Sequence, residues 1–240
     1  MREEELKANY HKVLEQLEKA CLKSGRDFKS VKLLAVSKFH EVQDMLALKA
    51  LGQEIFGENY VQEALKKMQV FRDQGFKAKD SFHLIGHLQS RKVPLIAGQV
   101  ALIHSLDSKK LAQILEKELA SQNLTQAVLI EVNLASETSK SGLKACDLLP
   151  LAAYILENFP HLVLKGLMCI PPYVEGEEVR TYFASLRKLK EDLEARFRQS
   201  FPELSMGMSA DFPWAIAEGA TIVRVGTALF GPRKNTKGEG

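Results

Sequence analysis

Cysteine is scarce in this chain: the three present, Cys21, Cys146 and Cys169, are widely spaced and odd in number. No pair has the spacing of a redox or zinc motif, which excludes a disulfide framework and fits a reducing cytoplasm. Long apolar runs are missing as well. No stretch reaches the roughly 18 residues of a membrane span. The opening residues, MREEELKANYHKVLEQLEKACLKSG, carry charges throughout and lack the apolar core and small-residue cleavage site of a secretion signal. The expectation is a soluble, cytoplasmic protein with no membrane partner. Nor does one sign of charge dominate. The 33 basic and 30 acidic residues leave a formal +3, and no basic stretch is interleaved with aromatics, so nucleic acid is discounted as a partner. Neither a G-x-G-x-x-G turn nor a Walker-type G-x-x-x-x-G-K follows any strand-like segment, which removes the usual support for a nucleotide-binding open sheet. No internal repeat or low-complexity segment stands out.

What is present is an ordinary globular balance, 45% hydrophobic and 26% charged over 240 residues, enough to bury a sizeable core. The length suits one β/α barrel, which commonly runs to about 250 residues. From Glu3 to Lys23, apolar residues at Leu6, Tyr10, Val13, Leu14, Leu17 and Cys21 recur at helical intervals and end at Gly25, predicting a leading amphipathic helix. Eight strand-like segments then alternate with helical patterns: VKLLAVS, EIFG, SFHLIG, VALIHSLD, AVLIEVNL, LVLKGLMCI, LSMGM and TIVRVGTALFG. Such alternation predicts an α/β fold, a single (β/α)8 TIM-type barrel with an extra N-terminal helix, over an open doubly wound sheet. Residues 1–233 are expected to form one domain, with 234–240 (KNTKGEG) a flexible tail.

Strand alternation puts Leu34, Val36 and Lys38 on one face of the first strand, with Lys38 at its C-terminal end, the functional face of such barrels. A lysine there either leads, solvated, into the next loop or, flanked by apolar walls that disfavour its charge, is freed to attack a carbonyl. In the last strand Arg224 interrupts an apolar run. If it points inward, its permanent charge requires an anion or lone-pair acceptor; outward, it would pair with a helix carboxylate. Gly226-Thr227 and Met208-Ser209 offer hydroxyl and N–H donors in the loops that cradle phosphate in this fold. Ser209 could equally cap the helix that follows. A lysine amine, a phosphate cradle and an arginine between them describe a site for a phosphorylated aldehyde.

The segments AVSK (Ala35–Lys38), GENYVQE (Gly57–Glu63), FHLIGHLQSRK (Phe82–Lys92), SKSG (Ser139–Gly142), GLMCI (Gly166–Ile170), SMGMS (Ser205–Ser209) and VRVGTALFG (Val223–Gly231) run in order along nearly the whole chain. With them it resembles the pyridoxal phosphate homeostasis protein family, relatives of the barrel domain of alanine racemase. One departure is Leu84, apolar where the family carries Phe or Met. The resemblance implies pyridoxal 5′-phosphate (PLP) held as a Schiff base on Lys38, Asn59 near its ring, Ser209, Gly226 and Thr227 on its phosphate, and Arg224 facing the pyridine nitrogen. It implies cofactor buffering or carriage with little or no turnover, and apo-PLP enzymes as possible recipients.

Two other readings compete. An amino-acid racemase of this type carries a further β domain supplying a tyrosine, and this chain stops nine residues after Gly231. An aldolase-like barrel would share the phosphate cradle but bind no coloured cofactor. His83 and His87 lack the glutamate of a zinc helix: His83 reads as structural and His87 as a rim residue. Lys140 reads as a solvated loop lysine that could draw an anion toward the mouth, while Met206, Met208 and Cys169 read as barrel filling. No metal site is expected.

Overall fold

The computed structural model describes residues 1–135, 141–174 and 176–232; Lys140 and the expected tail lie outside them. Eight parallel strands close into a barrel: β1 (Lys32–Val36), β2 (Ile55–Glu58), β3 (Phe82–Leu84), β4 (Leu102–Leu106), β5 (Gln126–Asn133), β7 (Leu162–Met168), β8 (Glu203–Ser205) and β9 (Ile222–Val225). Closure comes from β1 pairing with β9, Leu34 opposite Arg224, and β4 with β5, Ile103 opposite Val128. A two-residue strand absent from the sequence reading, β6 (Leu143–Lys144), lies beside the end of β5.

Alternation along each strand divides the apolar residues into two sets. Leu34, Leu102, Leu129, Met168 and Ile222 fill the barrel interior, with Val36, Ile55, Ile85 and Ala127 against them. Leu33, Ala35, Phe56, Phe82, Leu84, Ile103, Val128 and Val223 face the helices in the larger outer core. β7 breaks step. Across from β5, Val128 pairs with Leu164 but Leu129 with Gly166, so Lys165 is an extra residue. The bulge needs glycine, because Gly166 has φ +150 and a Cβ there would lie 1.8 Å from the Glu203 carbonyl oxygen.

The leading helix, Arg2–Lys23, buries Leu6, Tyr10, Val13, Leu17 and Cys21 against the helices Phe212–Ala217 and Thr227–Phe230. Its polar residues reach the same elements: Arg2 donates to the Phe230 carbonyl (2.9 Å) and Asn9 to that of Leu229 (3.1 Å). Arg26, just past the helix, donates to the Ala220 carbonyl at 2.6 Å. This helix therefore backs the two loops that follow β8 and β9. The segment after Gly226 is a correction to the sequence reading, which continued the last strand to Gly231: Gly226 (φ −116, ψ −78) turns the chain into the Thr227–Phe230 helix. The charged segment after β7 is a 3₁₀ turn, Gly176–Val179, leading into a helix over Arg180–Phe197.

Candidate functional site

A cavity of about 750 Å³ opens at the C-terminal end of the barrel, and its lining includes Lys38, Asn59, Ser209, Arg224, Gly226 and Thr227 together. Lys38 is half-buried in the turn just after β1, and both its neighbours are fixed. Ser37 donates through its hydroxyl to Glu58 Oε1 (2.6 Å) and accepts at its carbonyl from Lys67 Nζ (2.7 Å). Phe39 sits at φ +65 and donates its N–H to Glu63 Oε1 at 2.7 Å. Lys67 joins the two carboxylates, 2.9 Å from Glu58 and 2.7 Å from Glu63. The backbone carrying Lys38 is thus clamped from behind by a buried ion cluster, where burial holds the Glu58 carboxyl above its usual range despite Lys67. Among the described residues Glu58 Oε2 is the one buried side-chain polar atom without a hydrogen-bond partner.

Asn59 follows β2, and Gly86 lies beneath it: a Cβ on Gly86 would come within 2.4 Å of the Asn59 carbonyl oxygen. Glycine in the loop after β3 is what lets that backbone approach. On the opposite wall, Ser209 is half-buried and Thr227 exposed at the rim. The capping role open to Ser209 falls to another position, since the Phe212–Ala217 helix begins after Asp211. Asp211 instead ties its own loop, accepting from the Met208 N–H at 2.5 Å. Gly226 lies close over β1; a Cβ there would sit 3.3 Å from the Val36 carbonyl.

Arg224 points inward. It is 4% exposed, donates through Nη1 to Ser205 Oγ (2.7 Å) and through Nη2 to the Cys169 carbonyl (2.8 Å), and burial lowers its pKa. Among the described residues no carboxylate lies within ion-pair distance of it. A buried guanidinium held by neutral acceptors leaves positive charge facing the cavity. Together with the amine of Lys38 and the hydroxyls of Ser209 and Thr227, this donor set suits a small anionic carbonyl compound.

The sequence reading missed the apolar wall of this cavity, Val36, Ile85, Ile170, Tyr173 and Trp214. Their signal was there in part: Val36 and Ile85 share the inward face with Leu34 and Ile55. Met208 is a correction, since it lines the cavity and is 37% exposed, while Met206 is buried as filling. Cys169 is also filling, its thiol pushed up to about 12 by burial. His83 is buried within the barrel. His87 stands exposed, 3.5 Å from Asp107 and outside the cavity lining. Among the described residues no group of histidine, cysteine and carboxylate side chains could hold a metal ion.

Compared with known proteins, the chain is 46% identical over 224 residues to the pyridoxal phosphate homeostasis protein of Aquifex aeolicus, covering 93% of this chain and 96% of that one. It belongs to the pyridoxal phosphate homeostasis protein family. The family model for the alanine racemase N-terminal domain matches residues 5–234. Among solved structures, PipY of Synechococcus elongatus with PLP bound superposes on this homeostasis family member with a TM-score of 0.77 at 37% identity, covering 84% of this chain and 93% of PipY. A protein of unknown function from Bifidobacterium adolescentis gives 0.86 at 36% identity, with 95% and 96% covered.

Proposed function

We propose that this protein binds PLP in the barrel-mouth cavity through Lys38 and buffers or hands over the cofactor within the cytoplasm, with little turnover of its own. The observation that carries the reading is that Lys38, in the turn after β1, and the buried Arg224 of the paired strand β9, which has no carboxylate within ion-pair distance among the described residues, line the same cavity. The family membership and the PLP named for PipY support the choice of cofactor.

In this reading Lys38 Nζ holds the aldehyde carbon, and the clamp on Ser37 and Phe39 keeps that amine aimed into the cavity. Ser209, Gly226 and Thr227 take the phosphate with hydroxyl and backbone donors. Asn59 would lie beside the ring, with Val36 and Ile85 of the same lining supplying apolar surface. PLP, when bound, supplies an electron-withdrawing ring that can stabilise a carbanion at an attached amino acid. Arg224 opposes that chemistry. Having no acceptor atom and no proton to give up readily, it can only donate a hydrogen bond to the ring nitrogen, which then stays neutral and a weaker electron sink.

A racemase would need a second acid/base group across from Lys38. Tyr173, the tyrosine of the cavity lining, is 93% exposed at the rim, and among the described residues none holds its hydroxyl over a substrate. Carriage is what these residues favour. Residues 1–233 are taken as one binding domain, with apo-PLP enzymes as the partners to be supplied. No nucleic acid or metal has a role, and among the described residues no helix is long and apolar enough to cross a membrane.

Addition of PLP to the purified protein, borohydride reduction and peptide mapping test the reading. The expected label is about one per chain on Lys38, absent in Lys38→Ala. Reduction that traps the cofactor chiefly on another lysine of the unaltered protein would contradict it.

A further inference from the structure

The barrel interior below the cavity holds polar side chains that the proposed function leaves unused. His83 Nδ1 lies 2.9 Å from His104 Nε2, and His104 Nδ1 lies 2.9 Å from Ser205 Oγ, which in turn accepts from Arg224 at 2.7 Å. His104 and Ser205 are fully buried, and His83 is 6% exposed. A line of four side chains therefore crosses the barrel from β3 through β4 and β8 to β9.

Their protons can be placed from one fixed end. Arg224 only donates, so Ser205 Oγ accepts from it and has a single hydrogen left. Among the described residues the other partner of that oxygen is His104 Nδ1. Were His104 to donate at Nδ1, the Ser205 hydrogen would be buried without an acceptor, at the cost of an unmade bond. His104 Nδ1 therefore accepts and its Nε2 carries the proton. His83 Nδ1 must then accept, which leaves its proton on Nε2 as well. Burial keeps both imidazoles neutral, His83 with a pKa lowered to about 3 and His104 well below its usual value. The line is not a proton path, because its Arg224 end releases no proton; each link instead fixes the donor or acceptor role of the next.

We propose that Ser205 and His104, backed by His83, are positioning residues that set the orientation of the Arg224 guanidinium toward the cofactor. The Cys169 carbonyl holds the other terminal nitrogen, so Ser205 and Cys169 together fix the plane of the group. With its hydrogen given to His104, Ser205 presents its oxygen to Arg224 with both contacts made. This rests on the proposed PLP site.

The test has two arms. Nitrogen-15 NMR of the ligand-free protein between pH 5 and 8 (about the range below which folding weakens) should show His83 and His104 as neutral Nε2–H tautomers. An Nδ1–H tautomer or a cation at either would overturn the proposal. In the second arm, Ser205→Ala loaded with PLP should keep its reducible attachment at Lys38 but release the cofactor on the order of tenfold faster, as expected for loss of a charged group's hydrogen bond. Ser205→Thr should restore the rate. In an Arg224→Gln background, Ser205→Ala should add nothing. An equal effect with and without Arg224, or none in the unaltered protein, would make Ser205 a merely structural residue. If the unaltered protein takes up no PLP, the proposed function fails, and the tautomers alone decide whether the line of bonds exists as described.

Discussion

At the residue scale the site depends on groups that gave no chemical signal in the sequence. Lys38 was legible because strand alternation placed it beside Val36 at the end of an apolar strand. The clamp behind it was not, since no spacing or pattern sets Glu58, Glu63 and Lys67 apart from charges on a solvated surface. Only the closure of β2 against the following helix buries Glu58 and Lys67. His104 was likewise hidden in VALIHSLD, where one polar residue among apolar neighbours has no distinguishing pattern. Its burial has a measurable consequence. His83, lowered to about 3, and His104, lowered well below its ordinary value, stay neutral in the folded protein, whereas in the unfolded chain each titrates near its ordinary value. Below about pH 6.5 the unfolded state therefore binds protons that the folded state refuses. Stability is full above that pH and falls as pH drops toward 3, by at most about 1.4 kcal/mol per pH unit for each histidine. Urea denaturation as a function of pH should show this slope, and His83→Gln should reduce it by up to one proton. A slope in that range unchanged by the substitution would mean that His83 takes up no proton on unfolding, contradicting its neutral burial.

At the element scale, the eight barrel strands and the leading helix were legible from periodicity, because each strand had an apolar face on both sides of the sheet. The bulge at Lys165 was not, since LVLKGLMCI reads as one continuous apolar strand and only the pairing with β5 shows the extra residue. The end of the last strand failed for another reason. TALF is as apolar as a strand, but the turn at Gly226 gives it helical geometry and brings Thr227 to the cavity rim. The two loops after β8 and β9, backed by the leading helix, are proposed to hold the phosphate. Ser209→Ala combined with Thr227→Val should accelerate PLP dissociation by about tenfold or more, given about 1.5 to 3 kcal/mol for a hydrogen bond to a charged group. Ser209 should account for most of it, because Thr227 is exposed and its bond is screened by solvent. Stopped-flow transfer of PLP to a trapping amine measures this, and an unchanged rate in the double variant would place the phosphate elsewhere.

At the scale of the whole molecule, closure of the barrel gathers residues from β1, β2, β8 and β9, distant in sequence, around one cavity. Helices and the outer core hold the strands, the interior cluster of Leu34, Leu102, Leu129, Met168 and Ile222 fills the middle, and the polar line from His83 to Arg224 crosses it. The fold is shared with the alanine racemase N-terminal domain, so the barrel alone does not separate carriage from catalysis and the groups around Lys38 bear on the difference. Among the described residues one lysine lines the cavity together with an arginine proposed to keep a ring nitrogen neutral, and the tyrosine of the cavity lining stands in solvent. The most direct measurement is deuterium exchange at the α-carbon of common amino acids by the PLP-loaded protein in heavy water, which reports carbanion formation even when no net product accumulates. Carriage without turnover predicts no multiple-turnover exchange, whereas exchange on the order of 1 per second or faster, lost in Lys38→Ala, would contradict it.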